Sequence, residues 1–498
     1  MFIPRPSTPV PILSSQMEET GYFEWFKCRT SPKLPGGFIS SFWSILLLQA
    51  SLSEPAVLHA VLALSSVHRR GINKAHMKME TNKILDEGER FSLQHYVKAI
   101  THLQPHFLTK DRASLRVALI TCIVFVCVDY LRGHFKTAQT HLQNGLKVLV
   151  ERQMLSNGHD RAYRSGPCHD STDIWIAEAF SRLHLQVELF KHSPRPLGLV
   201  IEAAQPVIPR LVFQSTNEIW QDLERLLNEI FHLTHRNRQQ AASECDSLRH
   251  SPALLGDRQR IQAELVWWLD MYEAFKQNPR GHSKSAEEEK HYQLLGAYHT
   301  MATIMADTSL RLNDESVFES NTNQFVWLVR QLTNLWINAS MTSPIDAMPG
   351  RALDMSRSII DMGWITPLFY AATKCRIHRV RLQAIRLLES TFHREGIWDS
   401  RIAACVARKV MMAEELDFYK DIDTADDFPL LSFPRPKDLL LPALPEAYRI
   451  REVEVVLSDP PMDKILLFCS RNEGGMVRRV LLSEYDAHLQ HWIDGESS

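Results

Sequence analysis

Apolar side chains return every three or four positions through most of this chain, the period of helices that bury one face. Phe42, Trp43, Leu46, Leu47 and Ala50 open the strongest such stretch. Ser53-Glu54-Pro55 interrupts it, and Val57, Ala60, Val61, Leu64 and Val67 resume the period to about His68. With Ser53 as N-cap and Pro55 in the first turn, these segments predict a tightly joined antiparallel helix pair. Upstream, Gly21 to Leu34 mixes Tyr22, Phe23, Trp25 and Phe26 with charges and predicts a short amphipathic helix ending before Pro35-Gly36-Gly37. From His95 to Leu108 the spacing predicts a helix that turns Val97, Ile100, Leu103 and Phe107 towards the core. Val117 to Val128 is apolar all round but only 12 residues long. A bilayer-spanning helix needs about 20, so this window predicts a fully buried core helix.

Helical spacing recurs at Leu142–Val150, Ile174–Phe190, Glu218–His235, Ile261–Phe275, Leu294–Ala306, Phe325–Ile337, Ala352–Ala372, Lys374–Phe392 and Asp399–Phe418. Between them, Gln153 to Thr172 reads as a long polar loop, and Pro194, Pro196, Pro206 and Pro209 mark an irregular crossing. Gln277 to Lys290, charged and proline-broken, reads as a mobile loop. Only near the end does the period change: Ile450–Leu457, Lys464–Cys469 and Val477–Leu482 are short β-branched runs divided by Asp459-Pro460-Pro461 and Gly474-Gly475. The expected fold is all-α, a large irregular multi-helix domain with a small three-stranded β appendage near the C-terminus. Its parts are a disordered proline-rich lead at 1–20, a helical body at 21–445, and at 446–498 the appendage with the tail packed on it. No repeat of solenoid length supports a regular array.

Composition narrows the classes. Among 498 residues, 45% are hydrophobic, ample for a core, and 56 basic against 58 acidic side chains leave a net charge of -2. Such a balance supplies no overall field to gather an anionic polymer or a lipid surface. The 8 cysteines contain no Cys-x-x-Cys pair and are too sparse for a disulfide scaffold, which favours a reducing, intracellular setting.

Little in the sequence offers chemistry. Cys122 and Cys127 lie in an apolar helix with no second pair nearby and read as buried structural thiols. His95, His102 and His106 share a helical side, but Pro105 intervenes and no carboxylate joins them. They read as partnered or solvated imidazoles. Nucleophile elbows and phosphate-cradling glycine loops are missing. Glu87, Glu89, Glu287, Glu288, Glu289, Asp421, Asp423, Asp426 and Asp427 form acidic clusters of the kind that line solvated faces or loops. No catalytic, cofactor-binding or metal residue is therefore assigned, and an enzyme is not expected. One basic concentration stands out: Lys374, Arg376, Arg379, Arg381 and Arg386 surround an apolar stripe of Ile377, Val380, Ala384 and Leu388. It predicts a surface helix with an electropositive flank, and a phosphate-contacting face is the alternative.

Several stretches together resemble the regulatory region of fungal zinc binuclear cluster transcription factors. Phe42 to His68, FWSILLLQASLSEPAVLHAVLALSSVH, carries the clearest likeness. Ser92–Leu103, Val117–Leu149, Ala179–Phe190 and Arg394–Ala407 extend it. The resemblance implies a nuclear, all-helical regulator, controlling a gene cluster such as one for secondary metabolism. Its implied partners are other transcription regulators or its own copy as a homodimer, with no membrane and an effector of unknown kind. In that family six N-terminal cysteines hold two zinc ions and aim a helix at the major groove. Here Cys28 stands alone in the first 120 residues, so no family zinc is expected and DNA binding is assigned to no residue. Either the cluster lies upstream of Met1, or the regulator lacks it and acts through partners. The composition and paired helices fit equally a helical interaction scaffold with no direct role in transcription.

Overall fold

The helical period becomes a succession of helices in the computed structural model, which describes residues 17–36, 38, 40–76, 87–109, 111–159, 171–191, 213–243, 251–277, 286–311, 314–342, 359–390, 393–420, 422, 426–460, 464–473, 476–486 and 491–494. In chain order these are α1 (Met17–Trp25), α2 (Leu47–Ser53), α3 (Pro55–His76), α4 (Glu87–Thr109), α5 (Arg112–Arg132), α6 (Phe135–His159) and α7 (Ser171–Lys191). There follow α8 (Thr216–Ser243), α9 (Pro252–Gln277), α10 (Ala286–Thr308), α11 (Thr322–Thr342), α12 (Ile365–Lys374), α13 (His378–Glu389) and α14 (Ser400–Glu415). The apolar window Val117–Val128 forms the middle of α5, buried almost throughout against α3, α4, α6 and α7. A helix without a polar stripe has no face to give to water, so it occupies the centre. Phe42, Trp43, Leu46, Leu47 and Ala50 are buried with it, as their spacing predicts.

Some expectations need correcting. Ser53 does not cap α3; it closes α2 and returns its hydroxyl to Gln49 O at 3.3 Å. Glu54 is the junction, extended at φ −122° and ψ 111°, and its carbonyl accepts the first helical bond from Leu58 N–H at 2.9 Å. Pro55 excludes helical backbone from the residue before it, which moves the boundary to Glu54. On α4 the buried residues are Phe91, Ser92, His95, Ala99 and Leu103, whereas Val97, Ile100 and Phe107 are exposed. The small Ala99 and the flat His95 let α4 lie against α3, with the His95 ring 4.2 Å from Phe91 and 5.0 Å from His59. Packing thus overrides the apolar count.

Boundaries also shift. The loop expected over Gln153–Thr172 is shorter, because α6 runs to His159 and α7 begins at Ser171. Met17–Thr20 belong to α1 and not to the lead, and α10 already begins at Ala286. Residues 1–16, 278–285 and the four prolines from Pro194 to Pro209 lie outside the described residues. Of Ala352–Ala372, residues 352–358 lie outside them too, and the helix starts only at Ile365, with Pro367 in its first turn. Cys375–Ile377 then separates α12 from α13.

The C-terminal sheet has four strands, not three: β3 (Val453–Leu457), β4 (Lys464–Glu473), β5 (Met476–Asp486) and β6 (His491–Asp494), an antiparallel meander after the two-residue pair β1 (Arg394–Glu395) and β2 (Trp398–Asp399). Val453, Val455 and Leu457 pair with Cys469, Leu467 and Ile465, and all six are buried. Alternation therefore places one face on the helical core. The strand β6 escaped sequence reading because His-Trp-Ile-Asp is too short and polar to alternate; it is held by Tyr485 opposite Trp492 and by Lys409 paired with Asp494.

Candidate functional site

The basic run is the main surprise of the tertiary structure. It does not form a surface helix: all of α12 and the residues from His378 to Ile385 of α13 are buried. Arg376 lies between Glu315 and Glu414, with Glu414 Oε1 at 3.1 Å. Lys374 donates to Glu315 Oε1 at 3.2 Å and to the Arg451 carbonyl at 3.0 Å. Arg381 reaches Glu414 Oε2 at 2.6 Å and Glu415 Oε1 at 3.3 Å, and its Nε donates to Ala372 O at 3.0 Å. Three cations thus meet three carboxylates in a dry region, where an unmatched charge would be prohibitive. Burial alone would raise the Glu414 carboxyl, but Arg381, Arg376 and the Ile450 N–H outweigh it and hold it below its usual range. Arg379 and Arg386 turn instead to Phe428, with guanidinium carbons 3.1 and 4.5 Å from the ring centre. Lys374, Arg376, Arg379 and Arg381 are thus buried away from solvent, and Arg386 is half-buried.

A second buried centre ties the N-terminal helices to the C-terminal ones. Arg182 of α7 contacts Glu178 Oε1 at 2.6 Å, Asp361 Oδ2 at 2.7 Å and Glu224 Oε2 at 3.4 Å, and donates to the Phe38 carbonyl at 3.3 Å. Four segments meet at one guanidinium. Nearby, Gln186 donates to Ile360 O at 2.8 Å, and Glu395 accepts from the N–H groups of Gly363 at 2.8 Å and Trp364 at 3.0 Å, at the start of α12. Trp398 is fully buried with its ring 4.9 Å from Phe190 and 5.3 Å from Phe369. The motif Glu395–Trp398 is therefore a buried clasp. Sequence reading missed Arg182, Glu224, Glu315, Asp361, Glu395, Glu414 and Glu415, whose partners are remote along the chain; only the likeness at Ala179–Phe190 and Arg394–Ala407 pointed near them.

These buried groups set a pH dependence. Burial pushes Glu224 up to about 8, Arg182 countering only part of it, and pushes Asp129 up to about 7. Unfolded carboxyls titrate near 4 (about 3.9 for Asp and about 4.3 for Glu). Between those values and the raised ones the fold keeps protons that the unfolded chain releases, so stability falls as pH rises. Buried histidines act oppositely: burial first and Lys98 second hold His59 at about 4 and His95 at about 3. Unfolded imidazoles still bind protons below about 6.5, so the histidine contribution rises with pH and is complete there. For His378, burial disfavours the charge, but Glu415 and Asp426 outweigh it, so its contribution fades as pH climbs through its raised pKa. Urea midpoints are expected to decline from about pH 6.5 to about pH 8, with Glu224→Gln flattening the decline. A midpoint that rises over this range contradicts it.

The other sequence candidates are structural. His95 Nδ1 lies 3.0 Å from His59 Nδ1, His102 stacks on His59 at 5.3 Å, and His106 turns to Ser114 Oγ at 3.2 Å. Among the described residues no three His, Cys, Asp or Glu side chains gather as a metal site. Cys127 is buried and Cys122 half-buried, its thiol donating to the His141 carbonyl at 3.1 Å. Burial raises both thiols, as befits structural cysteines. Glu87, Glu288, Asp426 and Asp427 are exposed, but Glu89 pairs with Arg70 at 2.7 Å; Asp421, Asp423 and the Glu287 side chain lie outside the described residues.

Residues 22–181 match the family model described as the fungal specific transcription factor domain. The chain is 23% identical to the aspercryptin biosynthesis cluster-specific transcription regulator atnN of Emericella nidulans, over 74% of this chain and 70% of that protein. It is 26% identical to the transcription regulator lscL of Purpureocillium lilacinum over 28% of this chain and 31% of that one. No solved structure matches. The segments Phe42–His68 and Val117–Leu149 both fall inside the matched region.

Proposed function

We propose that this transcription regulator, whose residues 22–181 carry the fungal-specific transcription factor domain, controls a biosynthetic gene cluster from the nucleus and reaches DNA through a partner regulator or a second copy. The observation that carries this reading is the likeness to a cluster-specific regulator along 74% of the chain, far beyond the matched domain. The buried salt bridges give that length a physical meaning. Arg182, one residue past the matched region, pairs with Asp361, so the domain and the C-terminal helices act as one body. Recruitment through a partner is supported by the fate of the basic run, since phosphate binding needs cations open to solvent. No catalytic step and no resident zinc enter this reading.

Deleting the gene is expected to lower transcripts of an adjacent biosynthetic cluster at least tenfold, with a fluorescent fusion found in the nucleus. Unchanged transcripts genome-wide, or a fusion confined to the cytosol, would overturn the proposal. The purified chain is expected to carry no stoichiometric zinc by elemental analysis and to shift no DNA sequence-specifically on its own.

A further inference from the structure

Helix α4 packs its inner side on α3 and α5. Its outer side carries Val97, Ile100 and Phe107, which their spacing assigns to the core. Val97 and Phe107 are each 61% exposed, Ile100 41% and the adjoining Leu108 85%, with Leu93 half-buried beside them. Single exposed apolar residues need no explanation, but a contiguous row marks an interaction surface. Leu93, Val97, Ile100, Gln104 and Phe107 follow one another at alternating steps of four and three. That is the spacing of a coiled-coil seam, in which one polar position fixes the register. At 1.5 Å per residue this seam is about 21 Å long.

Charge selects the partner. From Phe91 to Leu108 the acids and bases are Lys98 and the histidines. Lys98 pairs with Glu19 of α1 at 3.3 Å, and His95, His102 and His106 turn to His59 and Ser114. An outer face without charge offers nothing to phosphate or to an acidic or basic peptide, whereas homodimer interfaces are apolar and poor in charge. The row also complements itself. Turned end for end about a two-fold axis between Lys98 and Ala99, it sets Val97 against Ile100 of a second copy, Leu93 against the Gln104 stem, and Arg90 over the Phe107 ring. Arg90 is exposed and has no ion pair among the described residues, its neighbour Glu89 being held by Arg70 at 2.7 Å. Because α4 is already folded on its own domain, pairing spends nothing on ordering the helix. We infer that the chain forms an antiparallel two-fold homodimer through the outer face of α4. The pairing gives the second copy of the proposed function its contact surface, and rests on that proposal for its purpose alone, since the mass in solution reads it without any transcript.

The test uses the full chain. At micromolar concentration, light scattering is expected to give twice the 57.3 kDa of one chain. Ile100→Glu and Phe107→Lys are each expected to weaken the dimer at least tenfold, by placing a charge in the seam. Both positions are exposed, and circular dichroism confirms that the variants fold. Met412→Glu, at an apolar position of α14 that is 62% exposed, is expected to leave the dimer unchanged. Leu93→Cys with Gln104→Cys is expected to yield a covalent dimer under oxidised glutathione, beyond any seen with the parent or either single variant. Within one helix these two positions lie about 16 Å apart, too far to bridge. A monomeric parent, which would leave the face to a different protein or to another part of this chain, would overturn the inference. A dimer that Ile100→Glu leaves intact, that Met412→Glu weakens equally, or that the cysteine pair fails to link would overturn it too.

Discussion

Arg381→Met is expected to destabilise the protein by about 3–5 kcal/mol, the range for removing one partner from a buried ion pair. Arg381 is 1% exposed and contacts Glu414, Glu415 and the Ala372 carbonyl. Methionine fills much of the volume but supplies no donor. Glu414, itself fully buried, would keep only Arg376 and the Ile450 N–H, at 2.9 Å, as partners. The urea midpoint of the variant measures the loss. Arg381→Met combined with Glu414→Met is expected to recover part of it, because the uncompensated charge is then gone. A midpoint shift worth less than about 1 kcal/mol would place Arg381 in the class of exposed pairs and contradict the buried network.

Gly396→Ala is expected to be comparably severe, about 3 kcal/mol or more, from strain and overlap together. Gly396 has φ +60°, a region that side chains with a Cβ enter only at a cost. An added Cβ would also lie 2.2 Å from Gln186 Oε1 and 2.6 Å from the Ile360 carbonyl oxygen. The Gln186 end can swing away, but the carbonyl is backbone and accepts from Gln186 at 2.8 Å. Any relaxation therefore opens the clasp that joins α7 to α12 and seats Trp398. Gln186→Ala with Gly396→Ala removes only the first overlap, so partial rescue at most is expected. Full rescue would show that the backbone approach is not tight. In the cell, the loss of a few kcal/mol reduces the folded population, so lower protein levels are expected.

The charged residues show how unevenly the sequence could be read. The stripe Val380, Ala384 and Leu388 is buried as its spacing predicts, yet Arg379 and Arg381 beside it are buried too. Periodicity assumes that a charge seeks water, and it has no means to register a carboxylate that folding brings alongside. On α4 the same assumption placed Val97, Ile100 and Phe107 inside, whereas all three are exposed.

What the sequence determined by itself is the helical character of the body, the central place of Val117–Val128, the β appendage, and the likeness that led to a transcription regulator. All of these rest on local spacing or on ordered stretches of residues, and local spacing is what a chain carries before it folds. The tertiary structure alone decided which face of α4 is buried and where the basic run goes. Those outcomes depend on partners far along the chain, Glu315 for Arg376 across 61 positions and Asp361 for Arg182 across 179. A charge is worth burying only when its counter-charge is already there, and that is settled by packing and not by neighbours in sequence.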